Sequence, residues 1–238
     1  ILPLERFLSV FDSGEASVYD IAEKIVYYAE ECGMEEALNI EYKRVKTKDG
    51  YYYSNNSKYV VVRYADDFVI FSQTKDEIEK VRNILEPYLN ERGLELAEDK
   101  TRILPFGRFK GTEEEFNFLG FTFSNSKTLT GKYRPNIKTD KKKLKQKFEI
   151  AKKWMHDNMH KSLLEVGLSI KKKIIGHYAY YGISGNYTSL VKYYKYMKYT
   201  WYYTLRKRGQ KNKIKYLDYL RIWNYLEIPN PKIYVNIW

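Results

Sequence analysis

An adjacent pair of acids, Asp66 and Asp67, stands between two strongly apolar stretches in KYVVVRYADDFVIF, residues 58–71. Neighbouring carboxylates repel each other, so a turn gains little from two of them, although an ordinary aspartate turn is the simplest interpretation. The flanks predict two core strands over residues 59–65 and 68–72, which puts the acids at a rim. Carboxylate oxygens fixed there suit Mg²⁺, and two such ions can activate a hydroxyl and stabilise the leaving oxygen in phosphoryl transfer.

Charge is distributed unevenly along the sequence. Residues 1–131 hold 17 Lys or Arg and 24 Asp or Glu, a net charge of −7, whereas residues 132–238 hold 25 and 6, a net charge of +19. A segment with that cationic surplus binds polyanions by releasing their condensed counterions. The 25 Tyr of the chain also offer rings on which unpaired bases stack. An A·T-rich genome would enrich Lys and Tyr too, but it would not remove acids from one half alone, so a nucleic acid partner is indicated.

The composition excludes two classes of protein. No apolar run approaches the ~20 residues that a membrane-spanning helix needs. The single cysteine, Cys32, excludes a scaffold held together by internal disulfides. Hydrophobic residues make up 44% of the chain, which is enough for a buried core.

Periodicity predicts an α+β first half and an all-helical second half, with the boundary within residues 126–136. Helical spacing of apolar residues extends over residues 15–38, and TKDEIEKVRNILEPYLNERG predicts a helix with a capping box of Thr74 and Glu77. Pro87 should kink or divide that helix. The segments LELAEDKTRIL and EFNFLGFTFS predict strands, the second with a bulge around its glycine. Four helices are predicted after the segment GKYRPN, and the last of them is short.

At the level of motifs, RYADDFVIF resembles the catalytic hairpin of reverse transcriptases, in the form typical of group II intron-encoded proteins. GMEEAL resembles the helix that precedes the loop in that family. GLELAEDKTRIL and FNFLGFTF are similar to its next two palm motifs, in the same order. RPNIKTDKKKLKQKF, IGHYAYYGISGN and YYKYMKYTWYYTLRKRG are similar to its thumb and maturase-specific region. The resemblance implies three parts: residues 1–33 outside the homology, a palm portion over 34–131, and a helical thumb and maturase domain over 132–238. It implies an RNA-directed DNA polymerase that is also an intron maturase.

The resemblance also implies a role for each matching residue. Asp66 and Asp67 would be the catalytic carboxylates and would hold two Mg²⁺ ions, and Asp66 would be the more direct ligand. Lys100 would approach the triphosphate as a general acid or as a point charge for the leaving group. Without the resemblance, Lys100 would be an ordinary solvated lysine at a strand end. The residues expected near the primer terminus and the incoming nucleotide are Tyr64, Ala65, Phe118, Leu119 and Gly120.

The helical half predicts an RNA-binding surface. Residues 138–173 carry twelve Lys and no Arg, and residues 192–215 carry nine Lys or Arg and no acid. A run of charge is usually only a solvated face, but here tyrosines interleave with the cations, and outward Tyr and Arg can stack on bases. The predicted RNA-binding residues are Lys141, Lys142, Lys143, Lys145, Lys171, Lys172, Lys192, Lys195, Lys198, Tyr199, Tyr202, Arg206, Lys207 and Arg208.

The sequence departs from the family pattern at its N-terminal side. A polymerase of this type uses a third carboxylate on an upstream strand and a fingers region with a Pro-Gln-Gly stretch. Asp12 and Asp20 lie too near Asp66 in sequence to hold the fingers between them, and no Pro-Gln-Gly follows either. We therefore expect that the chain alone does not polymerise DNA.

The expected partners are intron RNA, an RNA template with a DNA primer, dNTP once the active site is complete, and an upstream fingers and palm polypeptide, with no membrane. The expected location is a ribonucleoprotein in the bacterial cytoplasm or in an organelle. Two other functions stay open. One is a non-enzymatic RNA-binding splicing factor with a relict palm, and the other is an unrelated Mg²⁺-dependent nuclease, whose acids would be dispersed rather than paired.

Overall fold

The computed structural model describes residues 38, 42–47, 50–55, 59–64, 67–109, 114–209 and 213–237, with the backbone alone for 42–47, 50–55 and 63. The helix predicted over residues 15–38 lies outside the described residues except at its last position. Described residues form seven strands and five helices, so the fold class is α+β, as predicted. None of these five helices has the length and hydrophobicity to cross a membrane.

The chain divides into two compact units. The sheet unit contains the described residues up to Leu119 together with Phe123–Asn136. The helical unit contains Gly120–Thr122 and Ile137–Asn236.

Two antiparallel hairpins open the sheet unit. Strand β1, Tyr42–Thr47, pairs with β2, Gly50–Asn55. Strand β3, Tyr59–Tyr64, pairs with β4, Asp67–Ser72, and the register places Tyr64 opposite Asp67. The second hairpin lies where the apolar flanks of the acid pair predicted it.

The β3–β4 hairpin is covered on both faces. Successive side chains of a strand point to opposite faces, and here both faces carry apolar residues. Val60 and Val62 pack with Phe118 on one face, and further phenylalanines join them there. On the other face, Val61 packs against Val81 and Leu85. The strands that carry the predicted catalytic turn therefore belong to the core.

Helix α1, Lys75–Asn90, supplies the cover for the second face. Its N-terminus has the predicted capping box: the Thr74 hydroxyl accepts from the Glu77 amide and the Glu77 carboxylate accepts from the Thr74 amide, both at 3.3 Å. Pro87 does not divide the helix. The missing N–H of proline removes a single bond of the hydrogen-bond ladder, the one to the Asn83 carbonyl, and the Glu91 amide still donates to the Pro87 carbonyl at 3.0 Å.

The strand predicted from LELAEDKTRIL is absent from the structure. After α1 the chain is irregular, and a turn at residues 98–100 is closed by the Lys100 and Thr101 amides, which donate to the Ala97 carbonyl at 3.0 and 2.9 Å. Leu94 and Ile103 are exposed, so the apolar residues of this segment do not define a buried face. Without a buried face to define one side, alternation of side chains does not hold a strand in register.

The segment EFNFLGFTFS forms a hairpin rather than one bulged strand. Strand β5, Glu115–Phe118, and β6, Phe121–Ser124, are neighbours in a three-stranded sheet of order β5-β6-β7, in which β7 is Asn136–Thr139. The two residues between β5 and β6 both have positive φ, 50° at Leu119 and 76° at Gly120. Positive φ at both central positions is the geometry of a type I′ turn, which suits the twist of a two-residue hairpin.

The helical unit contains the four helices predicted for the second half. They are α2, Lys141–Asp157; α3, Leu163–Tyr181; α4, Tyr187–Lys207; and the short α5, Tyr216–Tyr225. Asp140 caps α2 by accepting from the Lys142 and Lys143 amides, and Ser162 caps α3. The residues that fill the core are Met155, Ile170, Ile174, Tyr178, Leu190, Met197, Trp201, Tyr219 and Trp223.

Close packing in this unit depends on Gly167 of α3. A methyl group at this position would lie 2.3 Å from the Leu226 side chain and 3.0 Å from the Trp201 ring. Gly176 of the same helix has open space around it. Glycine therefore has a packing role at only the first of these two positions.

A buried amide fixes the N-terminus of α4. The Asn186 side chain accepts from the Thr139 amide at 2.9 Å and donates to the Thr139 hydroxyl and to the Tyr181 carbonyl, both at 2.8 Å. Asn186 is completely buried, so each of these bonds compensates for water that the amide has lost. The end of β7, the end of α3 and the start of α4 are held together in this way.

Candidate active site and nucleic acid interface

Asp67 is the described residue of the acid pair, and it begins β4 with its side chain exposed. Asp66 and Ala65, which connect the two strands, lie outside the described residues. Tyr64, at the end of β3, is opposite Asp67 and is 54% exposed. Since directly opposite residues share one face of a hairpin, the Tyr64 ring and the Asp67 carboxylate lie side by side at its end.

Two more predicted residues pack on the face that carries Asp67. Alternation puts Asp67 on the side of Val69, and this side packs against Phe118 and Leu119. Phe118 is buried and Leu119 is half-buried. The structure therefore brings Tyr64, Asp67, Phe118 and Leu119 to one side of the β3–β4 hairpin.

Lys100 is not brought to this face by any described contact. It is exposed in the turn after α1, and no ion pair joins it to a carboxylate in the part of the chain that the structure describes. Its predicted role at the triphosphate stays a prediction.

Gly120 lies against Tyr181 within the helical unit. A Cβ at Gly120 would lie 2.8 Å from the Tyr181 hydroxyl, and the Gly120 carbonyl accepts from the Asp140 amide at 3.0 Å. The Phe121 ring lies 5.1 Å from the Tyr181 ring, centre to centre. Burial, and then the neighbouring Tyr180 and Asp140, raises the pKa of Tyr181 to about 12, so its hydroxyl is a neutral donor at ordinary pH. Tyr181 was not among the site residues predicted from the sequence.

The donor set at the hairpin end partly fits a magnesium ion. Mg²⁺ takes one or two protein carboxylates and completes its shell with water and phosphate oxygens. Asp67 supplies one exposed carboxylate of this kind, and Asp66 is its neighbour in sequence. No group of three or more metal-binding side chains occurs within the described ranges.

The predicted RNA-binding cations lie at the surface of the helical unit. Three described ion pairs join acids of this unit to Lys or Arg, namely Lys153–Asp157, Lys161–Glu165 and Arg221–Asp218. None of them uses a predicted RNA-binding residue, so the charge of those residues is available to a polyanion. The exposed members of the predicted set are Lys141, Lys142, Lys143, Lys145, Lys172, Lys192, Lys195, Tyr199, Lys207 and Arg208, and the half-buried ones are Lys171, Lys198, Tyr202 and Arg206.

Tyrosines of α4 and α5 adjoin at the surface of this unit. The Tyr202 ring lies 5.3 Å from the ring of Tyr203 and 5.1 Å from that of Tyr216. Desolvation and a side-chain hydrogen bond with Tyr199 raise the pKa of the Tyr216 phenol above its ordinary value. Tyr203 and Tyr216 were not among the predicted residues. For Tyr216 the reason is that α5 is separated from α4 in sequence and nothing in the pattern pairs the two helices.

Comparison with known families gives a match over residues 34–123 to the family described as reverse transcriptase (RNA-dependent DNA polymerase). These residues are similar to reverse transcriptases. Comparison with curated proteins gave no match.

The matched segment contains the acid pair, Lys100 and the Leu119–Gly120 turn. The predicted resemblance to reverse transcriptases is therefore confirmed for this segment. The narrower assignment to group II intron-encoded proteins stays a prediction. Residues 124–238 lie outside the match, so the basic surface is argued from charge and geometry alone.

Proposed function

We propose that this chain is the palm and thumb portion of an RNA-directed DNA polymerase of the group II intron-encoded type, which also acts as a maturase. One observation carries the proposal: an exposed aspartate, Asp67, ends a buried hairpin within a segment that is similar to reverse transcriptases. A carboxylate that served only a turn would not require strands covered on both faces.

The residues of the sheet unit would position the reactants of nucleotidyl transfer. Asp66 and Asp67 would hold Mg²⁺, which when bound stabilises charge on the attacking and leaving oxygens. Packing of β3 and β4 fixes the backbone of Asp67, so its carboxylate needs little rearrangement to meet a ligand. The exposed Tyr64 ring beside it would contact the nucleotide, and Phe118 and Leu119 would support the primer end.

The helical unit would bind the intron RNA and the template–primer duplex. Lys141, Lys142 and Lys143 are consecutive in the first turn of α2, exposed, and without ion pairs among the described residues. Clustered ammonium groups of this kind bind phosphates and release counterions. A ribonucleoprotein of the bacterial cytoplasm or of an organelle is the setting that this activity implies.

Primer extension tests the catalytic part of the proposal. With RNA template, DNA primer, dNTP and Mg²⁺, we expect no cDNA from these 238 residues alone, because the third carboxylate and the fingers were not identified in this sequence. Adding a polypeptide that carries them should give extension. Asp66→Ala and Asp67→Asn should then abolish it, whereas Asp76→Asn, an exposed acid in the first turn of α1, should leave it unchanged.

The two parts of this prediction can fail separately. Robust cDNA from these 238 residues alone would contradict the expectation that they are inactive without the third carboxylate and the fingers. Extension that survives Asp67→Asn would contradict the catalytic site itself.

A second candidate is an RNA-binding splicing factor without polymerase activity. The observation that favours it is that the basic surface lies in the helical unit and requires no catalytic carboxylate. In a splicing assay with a group II intron RNA, this function predicts that the Asp67→Asn variant stimulates splicing as well as the wild type does. Replacing Lys141, Lys142 and Lys143 by glutamate should abolish the ability of the protein to stimulate splicing of that RNA.

A further inference from the structure

The surface between α4 and α5 exposes a group of adjoining tyrosine rings. Tyr199 and Tyr203, one turn apart on α4, are 45% and 56% exposed, and Tyr216 of α5 is 37% exposed. The half-buried Tyr202 ring lies within 5.3 Å of the rings of Tyr203 and Tyr216. These four residues are called the tyrosine surface below.

The tyrosine surface lies over a core that is complete without it. Beneath it, Tyr219 and Trp201 are fully buried, with ring centres 5.6 Å apart, and the Tyr219 hydroxyl donates to the Lys198 carbonyl at 2.5 Å. The outer rings of Tyr199 and Tyr203 keep about half of their area in water, so folding gains little from them. Contiguous exposed apolar area of this kind is typical of a binding site.

Cations flank the tyrosine surface. Lys195 is exposed one turn before Tyr199, and the Arg206 guanidinium lies 5.7 Å from the centre of the Tyr202 ring. Asp218 is the acid of α5, and it is engaged by Arg221 at 3.1 Å. The ligand that complements this surface is an anion with flat apolar faces.

We propose that the tyrosine surface binds unpaired nucleotides of RNA, with bases stacked on Tyr199 and Tyr203 and phosphates held by Lys195 and Arg206. The inference rests on the proposed function, because it names the class of RNA that the helical unit takes at this place. Duplex RNA keeps its base faces inside the stack and cannot offer them to side chains. The two rings lie about 6 Å apart along the helix axis, which leaves room for successive splayed bases.

Fluorescence anisotropy with three labelled RNAs tests the inference: a short oligouridylate, the same strand with abasic riboses, and a duplex of equal length. Tyr199→Ala and Tyr203→Ala should each weaken oligouridylate binding by about fivefold to a hundredfold, the range for loss of one base–ring stack. Neither variant should change binding of the abasic strand or of the duplex. Tyr199→Phe and Tyr203→Phe keep the ring and should bind like the wild type.

A matched control and the contrary outcomes complete the design. Tyr225→Ala removes a tyrosine of α5 that is 79% exposed and should leave all three affinities unchanged. Alanine variants at Tyr199 and Tyr203 that bind oligouridylate like the wild type would overturn the inference and leave the proposed function standing. Loss of self-association in those variants, with RNA binding intact, would assign the surface to a protein contact and overturn it too. If the wild type binds none of the three RNAs, the proposed function and the inference both fail.

Discussion

Acidification from pH 7 to pH 5 is expected to destabilise the helical unit by about 2 kcal/mol through His177 alone. The His177 ring, on α3, is 4% exposed and is stacked on the Tyr193 ring of α4 with centres 3.7 Å apart. Neither ring nitrogen has a hydrogen-bond partner among the described residues. Burial, and then the charge of Lys147 on α2, lowers the pKa of His177 to about 3.

The size and sign of the effect follow from proton uptake. In the unfolded chain a histidine has a pKa of about 6.5, so it takes up a proton as the pH falls from 7 to 5. The folded state does not, because its pKa is about 3. The contribution of His177 to the free energy of unfolding is complete above pH 6.5, and it is lost as the pH falls toward 3. Integration between pH 7 and pH 5 gives about 2 kcal/mol, and a folded pKa one unit higher would leave that value almost unchanged.

Urea unfolding at the two pH values measures this contribution. Tryptophan fluorescence reports mainly the helical unit, which contains three of the four tryptophans, Trp154, Trp201 and Trp223. In His177→Phe the new ring can stack on Tyr193 and cannot be protonated. The wild type should therefore lose about 2 kcal/mol more than His177→Phe between pH 7 and pH 5.

The wild type and His177→Phe have the same carboxylates. Subtracting one loss of stability from the other therefore cancels the contribution that the carboxylates make to it. A variant of an exposed histidine, His156→Gln, should follow the wild type. Equal losses in the wild type and in His177→Phe, with both folded at pH 7, would refute the reasoning.

Three further predictions concern packing and charge. Gly167→Ala should lower the free energy of unfolding by about 1–3 kcal/mol through overpacking. Gly176→Ala, on the same helix, should raise it by up to about 1 kcal/mol. Thermal unfolding followed by circular dichroism distinguishes the two effects. Gly120→Ala should destabilise the protein, and Tyr181→Phe in that background should recover only the part due to the hydroxyl contact, because the strain of positive φ remains. Lys141→Gln should reduce the slope of log K for RNA against log salt by about 0.7–0.9, and an unchanged slope would place Lys141 outside the interface.

Helix positions were predictable because their signals are local. The capping box of Thr74 and Glu77 lies within four residues, and the apolar face of α1 repeats every three or four residues. The strand predicted after α1 was wrong because alternation is a weak signal when no face is buried. The β5–β6 turn was missed because Leu119 has no side-chain preference for positive φ, and type I′ turns usually show Asn or Gly there. Tertiary contacts select that conformation, and a sequence pattern does not contain them.

Some residues of the candidate site could be predicted from the sequence, and others could not. Asp67 could be found because an acid pair between apolar strands is unusual in itself. Tyr181 could not, because its contact with Gly120 joins residues about sixty positions apart, and a tyrosine at helical spacing is more often simply core. The same applies to Tyr216, which meets Tyr202 only after α5 has folded onto α4.

Helix α5 has ten residues and no side-chain cap at its N-terminus. Isolated helices of that length are not stable in water, so a peptide of residues 216–225 should be a random coil. Its helicity depends on Tyr219 and Trp223, whose rings lie against Trp201 of α4. A substitution at Trp223 would therefore also displace Tyr216 from the tyrosine surface. In a genetic screen, Trp223, which itself contacts no RNA, would behave like a residue that binds RNA.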